Sequence, residues 1–174
     1  MALLVAGLGS LGWSGVVLEP AKAPGWKIQE WINSDPGRLQ SHKGKVVLID
    51  FFQLWCPGCN DFSIPLFEEW EEKFGTRDDV LIVSIHTVFE GHDVQNPRRL
   101  RQFVHERGIK HPVGIDAYDP KDPKGTPITM HRFETGGTPH VAIVDKHGKL
   151  RFSHFGQFRP DVVESFIDRL LKER

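Results

Sequence analysis

Only two cysteines occur in the 174 residues, so no disulfide scaffold holds this chain together. None is needed, because a chain of this length buries roughly 70% of its unfolded surface. Neither sign of charge is in excess: 22 Lys and Arg against 23 Asp and Glu leave a net charge of −1. A basic face for nucleic acid is therefore not expected. An uninterrupted apolar run long enough to span a bilayer is missing too. The most apolar stretch, residues 2–18, is short and broken by four glycines. With 39% hydrophobic and 26% charged residues, a disordered chain and a multi-span membrane protein are both excluded. One globular domain of ordinary size remains.

The apolar stretch leads into Ala21-Lys22-Ala23, which has the small-x-small form of a signal cleavage site. The positive segment that opens such signals is absent. Two readings stand side by side. An export signal or anchor would put the protein in the periplasm or on a membrane, and an unprocessed extension would leave it cytoplasmic. Either way the expected division is residues 1–24 as leader or extension and 25–174 as the domain.

Hydrophobic periodicity orders the domain. Trp26, Ile28, Trp31 and Ile32 suggest a short helix ended by Asp35-Pro36-Gly37. Val46 to Phe52 is a nearly continuous apolar, β-branched run, the mark of a strand buried on both faces. Phe62, Leu66, Phe67, Trp70 and Phe74 then recur at helical spacing. Val80 to Ile85 is a second buried strand. Asn96-Pro97 opens a helix that Gly108 closes. A short strand at His111–Ile115, a Pro- and Asp-rich loop over 116–126 and a short helix at 128–133 follow. Val141–Asp145 and Leu150–Phe152 flank a turn at Lys146-His147-Gly148, a hairpin signal. A last helix begins at Pro160 with a clean apolar stripe. Parallel strands alternating with helices, closed by a hairpin, predict an α/β fold with a central mixed sheet.

Both cysteines lie in Cys56-Pro57-Gly58-Cys59, at the junction of a buried strand and an amphipathic helix. Unpaired N–H groups at a helix N-terminus favour an anion, so Cys56 is the acidified, attacking thiol. Cys59, one turn further in, is placed to close a disulfide and resolve a mixed one. A zinc site would need two more ligands, and the nine histidines show no paired ligand spacing. A purely structural cysteine pair is the plainest alternative. Asp50 interrupts the apolar strand six positions earlier. A carboxylate there is costly unless it is paired or functional. It reads either as a buried acid/base serving Cys59, with a raised pKa, or as an Asp satisfied by a Lys or by backbone donors.

Val46-Val47-Leu48-Ile49-Asp50-Phe51-Phe52-Gln53-Leu54-Trp55-Cys56-Pro57-Gly58-Cys59 resembles the strand, Trp-Cys-x-x-Cys and helix of the thioredoxin-fold superfamily. Gly136-Gly137-Thr138-Pro139-His140-Val141 resembles its cis-proline loop entering an antiparallel strand. Within the superfamily the chain is most similar to redoxins of the TlpA-like and AhpC/TSA-like type. His86-Thr87-Val88-Phe89-Glu90 marks a bacterial subgroup. The resemblance covers about residues 26–172. It implies a thioredoxin-like fold, with Cys56 as nucleophile, Cys59 as resolving thiol and Asp50 as buried acid. It also implies that Trp55 flanks the sulfur on a docking surface, that Pro139 is cis, and that the Thr138 backbone pairs with a substrate strand. Two departures stand out. Pro65 lies nine positions after Cys56 rather than eight, which should alter the helix bend. Gln53-Leu54-Trp55 replaces the Pro and Thr or Ser of a peroxidase.

The resulting expectation is a thiol:disulfide oxidoreductase that reduces protein disulfides, with no metal or organic cofactor. Its partners would be a disulfide-bearing protein and an upstream thiol reductant, and it would be a monomer. A hydroperoxide reductase, and a copper or zinc carrier using Cys56, Cys59 and His86, are the alternatives. His86 ends a buried strand on the active-site side and is a possible accessory residue. The acidic run Glu68, Glu69, Glu71 and Glu72 reads as an exposed helix face.

Overall fold

A computed structural model describes Gly15 and residues 19–173. The apolar stretch 2–18 lies outside the described residues apart from Gly15. Six strands form one mixed sheet in the order β1-β4-β3-β2-β5-β6. They are β1 (Ile28–Ile32), β2 (Val46–Phe52), β3 (Val80–His86), β4 (Val113–Asp116), β5 (His140–Val144) and β6 (Leu150–Phe155). The helices are α1 (Ile64–Phe74), α2 (Pro97–Arg107), α3 (Ile128–Arg132) and α4 (Pro160–Lys172).

Strand β2 is central, and all seven of its residues are buried. It pairs with β3 in parallel and with β5 antiparallel. Because β2→α1→β3 and β3→α2→β4 are parallel crossovers in one direction, right-handedness puts α1 and α2 on the same face. The Arg107–Glu68 ion pair joins those two helices there. Helix α4 shares that face, packing Val163, Phe166, Ile167 and Leu170 with Phe67 and Trp70 of α1 over Val46 and Leu48. Burying such a side chain is worth about 1.5–3 kcal/mol. The opposite face is covered by Ala23, Leu39 and Phe133 over Val47, Ile49 and Phe51.

The segment expected to be a helix at Trp26–Ile32 is instead strand β1, paired antiparallel with β4. The register shifts between Ile28 and Glu30. A bulge of this kind inserts one residue and offsets the alternation. Ile28 and Trp31 thereby come to one side at a spacing that imitates a helical turn. Gly114 admits the pairing: a Cβ there would stand 2.9 Å from the Trp31 ring.

The helix at Asn96-Pro97 forms as the sequence indicates. Asn96 caps it by accepting the Arg99 N–H, and Gly108 ends it at φ 68°. Ala21 and Ala23, from the small-x-small motif, hydrogen-bond to Leu150 and Gly148 beside β6. Among the described residues no helix is long and apolar enough to cross a membrane.

Candidate active site

The carboxyl ends of β2 and β3 and the entry to β5 meet at one edge of the sheet, where ligand sites of α/β folds gather. Cys56 and Cys59 form a disulfide there, with Cα atoms 5.2 Å apart. Cys56 stands in the N-cap position of the helical segment: its carbonyl accepts the Asn60 N–H at 3.1 Å. Its Sγ accepts the Cys59 N–H at 3.1 Å, as a Ser or Asp oxygen would in that position. Asn60 Nδ2 donates to the carbonyls of Leu54 and Cys56, which fixes the turn. Cys56 is 9% exposed and Cys59 wholly buried.

The extra residue before Pro65 has a visible consequence. Cys59–Ser63 is a π-helical turn, and the Ile64 N–H returns to the Cys59 carbonyl. Pro65, at the start of α1, has no N–H to give back, so the i→i+4 ladder cannot run through it. The inserted residue is taken up by the wider turn.

The Thr138–Pro139 peptide bond is cis. Pro139 is buried against the redox turn, and a Cβ on Gly58 would lie 3.0 Å from its Cδ. Thr138 is half-buried. Trp55 is 52% exposed. It lines a groove of about 320 Å³ with Leu54, Val94, Gln95 and Phe103.

Asp50 is completely buried, and neither carboxylate oxygen has a hydrogen-bond partner. Desolvation pushes its pKa up to about 7. The Ser63 hydroxyl pulls weakly the other way. It is itself unpartnered, so its effect is small beside that of burial. Among the described residues Asp50 has neither the Lys nor the backbone partner of the structural reading.

His86 is the register partner of Phe52 and packs on its ring at 5.4 Å. It is 2% exposed, and burial holds its pKa near 4 despite Gln95 nearby. His140 turns away from the sulfurs. Its Nε2 contacts Ser153 Oγ at 2.9 Å, its ring meets Phe51, and burial holds it near 4 as well. No group of three or more His, Cys, Asp or Glu among the described residues is arranged to hold a metal ion.

Sequence reasoning passed over the residues that hold the redox loop. Gln95 Oε1 accepts the Leu54 N–H at 2.9 Å, and its Nε2 donates to Gln53 Oε1 at 2.6 Å and to the Glu90 carbonyl. Gln53 Oε1 also accepts from Trp55 Nε1 at 3.3 Å, and Gln53 Nε2 reaches Thr138 Oγ1 at 3.4 Å. Two buried glutamines thus tie Trp55 to the cis-proline loop. The one available signal was Gln53 itself, a polar residue between a buried strand and Trp55.

The AhpC/TSA family model matches residues 21–153. The chain belongs to the AhpC/TSA family. Its fold is thioredoxin-like. A crystal structure of a thioredoxin-like superfamily protein superposes with a TM-score of 0.82 at 39% identity, covering 88% of this chain and 97% of that one. A thiol-disulfide isomerase from Corynebacterium glutamicum gives 0.80 at 33% identity, covering 87% and 98%. Thiol-disulfide oxidoreductase ResA from Bacillus thuringiensis (strain Al Hakam) is 26% identical over 132 residues, 76% of this chain and 67% of its own length. NHL repeat-containing protein 2 from Gallus gallus is 27% identical over 147 residues, 82% of this chain and 19% of its own length. The chain thus spans about a fifth of that relative, and of the mycobacterial protein DipZ.

Proposed function

We propose that this AhpC/TSA-family protein is a thiol:disulfide oxidoreductase that reduces disulfides in protein substrates. The observation that carries the reading is the asymmetric pair: Cys56 at the helix N-cap with 9% of its surface exposed, Cys59 wholly buried in the turn that meets the unpartnered Asp50 through Ser63. Cys56 thiolate attacks a substrate disulfide and releases one substrate sulfur as a thiolate. Cys59 then gives its proton to Asp50 and attacks Cys56 Sγ. The second substrate sulfur leaves, and the Cys56–Cys59 disulfide closes. Trp55 and the Thr138-Pro139 loop flank the attacking sulfur and receive the extended substrate chain. An upstream thiol reductant restores the dithiol. No metal or organic cofactor enters these steps.

The surroundings of Cys56 support the reducing direction. Its sulfur accepts one backbone N–H, and Cys56 belongs to an apolar cluster with Phe52, Ile64 and Leu100. A strongly oxidising pair needs far more stabilisation of its thiolate.

The test is redox titration of the pair against glutathione, together with turnover on a disulfide-bonded protein such as insulin. Insulin reduction by a pair well below about −120 mV is expected. A potential at that oxidising extreme overturns the direction. Oxidation of Cys56 by hydrogen peroxide orders of magnitude faster than that of an ordinary acidic thiol overturns the activity in favour of a peroxidase.

A further inference from the structure

Asp50 is sealed from bulk solvent, yet as the acid/base proposed above it must exchange a proton with solvent in every cycle. We propose that Ser84, His111 and Glu71 form the path by which that proton passes between Asp50 and the protein surface. This rests on the assignment of Asp50 under the proposed function.

The geometry is that of a relay. Ser84 on β3 is the register partner of Asp50 on β2. Neighbouring strands lie about 4.8 Å apart, and register partners project from the same face. One bridging water, or a rotation of either side chain, closes the remaining gap. Ser84 Oγ meets His111 Nε2 at 2.8 Å, and both side chains are buried. His111 Nδ1 meets Glu71 Oε2 at 3.0 Å. Glu71 stands on α1 at the surface and lines an open groove with Glu68, Arg107 and Lys110. The chain Ser84–His111–Glu71 therefore runs from beside Asp50 to solvent. One residue of the acidic run on α1 is a member of it, not merely part of an exposed face.

Electrostatics suit the direction of transfer. Burial alone would raise the Glu71 pKa, but the hydrogen bond and charge of His111 and the backbone N–H of Lys110 bring it below the usual carboxylate range. An anionic Glu71 accepts the Nδ1 proton, which leaves Nε2 free to accept from Ser84. Of the titratable groups on the neighbouring elements, His86 projects from the same face of β3 two residues beyond Ser84, and Cys59 lies in the π-helical turn that meets Asp50 through Ser63. Its partner on β5 is Val141, and the α4 side chains in the same layer are apolar.

The proton balance is simple. Cys59 loses one proton to Asp50 as its sulfur attacks Cys56. Asp50 passes that proton to Ser84 Oγ while the Ser84 hydrogen moves to His111 Nε2. The Nδ1 hydrogen leaves through Glu71 to water. No electrons move along this path, and re-reduction runs it backwards. Ser84, His111 and Glu71 touch no substrate and act only through Asp50, so they are positioning residues.

A pH jump isolates the relay. Reduced protein is held at about pH 5.5, where Asp50 keeps its proton, and mixed at pH 8 with 5,5′-dithiobis(2-nitrobenzoate). Release of the second thionitrobenzoate reports attack by Cys59. Ser84→Ala and His111→Gln should resolve about tenfold more slowly after the jump than when held at pH 8 beforehand. Wild type should show little dependence on starting pH. His111→Gln keeps polar contact with Ser84 and Glu71 but cannot pass a proton between two ring nitrogens. Imidazole in the buffer should remove the lag of His111→Ala. Wild-type behaviour of both variants from both starting points overturns the relay. Equal slowing from both starting points also overturns it, because a purely structural role has no memory of pH. The control is Asp50→Asn: normal resolution by that variant removes the role of Asp50 itself, whereas slow resolution beside normal Ser84→Ala and His111→Gln removes the relay alone.

Discussion

Asp50 and Asp145 lie towards opposite ends of the same pair of strands. Asp50 faces Val141 across the β2–β5 ladder, and Asp145 follows Val144, the partner of Val47. The two are about equally hidden, at 0% and 2% exposure. Their surroundings are opposites. Asp145 Oδ1 accepts the N–H groups of His147 and Lys149 at 2.9 Å, and Oδ2 pairs with Arg151 at 2.9 Å. Burial alone would raise its pKa, but these donors bring it below the usual range. Neither oxygen of Asp50 has a hydrogen-bond partner, and burial outweighs the opposing pull of the Ser63 hydroxyl. Asp116 is another of the satisfied kind, accepting from Thr87, Thr129 and Met130. An unsatisfied carboxylate costs stability, so Asp50, in the strand that leads to the cysteine turn, fits the acid/base role proposed above, whereas Asp145 holds a hairpin.

The largest effect should come at the functional end. Cys59→Ser should abolish multiple turnover while Cys56 still attacks. Mixed disulfides with substrate should then build up on non-reducing gels. Cys56→Ser should trap little, because Cys59 is sealed. Equal trapping by both variants would erase the asymmetry on which the comparison depends.

Asp50→Asn comes next, and its pH dependence carries the sign. The carboxyl pKa is raised in the folded state, to about 7 from 3.8. Between those values the folded protein holds a proton that the unfolded chain has lost. Stability therefore falls as pH rises from about 4 to 7, by on the order of 4 kcal/mol at most. The Asn variant should lack this slope and, above pH 7, be as stable as wild type or more so. It should also turn over more slowly, with the pH profile of an unassisted thiol. Denaturant melts and turnover from pH 5 to 9 check both. Normal turnover with weakened folding would make Asp50 a second Asp145.

Asp145→Ala should do the reverse, costing about 2–3 kcal/mol at neutral pH and leaving resolution at Cys59 unchanged. Its folded pKa is depressed. The stability it contributes is thus present above the unfolded pKa and is lost as pH falls through the folded one. Urea midpoints at pH 7 and pH 3 should differ less for the variant than for wild type.

How legible each end was follows from where its information lies. The Cys56–Cys59 pair, the buried position of Asp50 and the cis Thr138-Pro139 bond were legible in the sequence because their signals are local: a spacing, a charge in an apolar strand, a proline after glycines. The strands β2, β3 and β5 were visible because burial on both faces leaves continuous apolar runs. Strand β1 was not, since its bulge replaced the period of two with a helix-like spacing. The Ser84–His111–Glu71 chain and the Gln53–Gln95 pair were invisible for a different reason. Their partners are brought together by tertiary packing across 27 to 42 residues of chain. A lone polar residue in a strand or loop gives no sign of such a partner.

Gln95 supplies the smallest effect and the sharpest challenge to the contrast. It belongs to the functional end, yet it is as fully satisfied as Asp145. Its 5% exposure and its bonds to Leu54, Gln53 and Glu90 make it a brace. Gln95→Ala leaves the Leu54 N–H without its partner, and Gln53 Oε1 loses one of its two donors, for a cost of about 1–3 kcal/mol. Trp55 then loses its alignment with Thr138, because Gln53 is the link between them. The sulfur chemistry depends on the Cys56 N-cap and on Asp50, which the brace does not touch. KM for a disulfide-bonded protein should therefore rise several-fold, while attack on a small aromatic disulfide keeps its rate. If both rates fall together, the brace acts on Cys56 directly, and satisfied polar groups at this end of the sheet belong to the chemistry as much as Asp50 does.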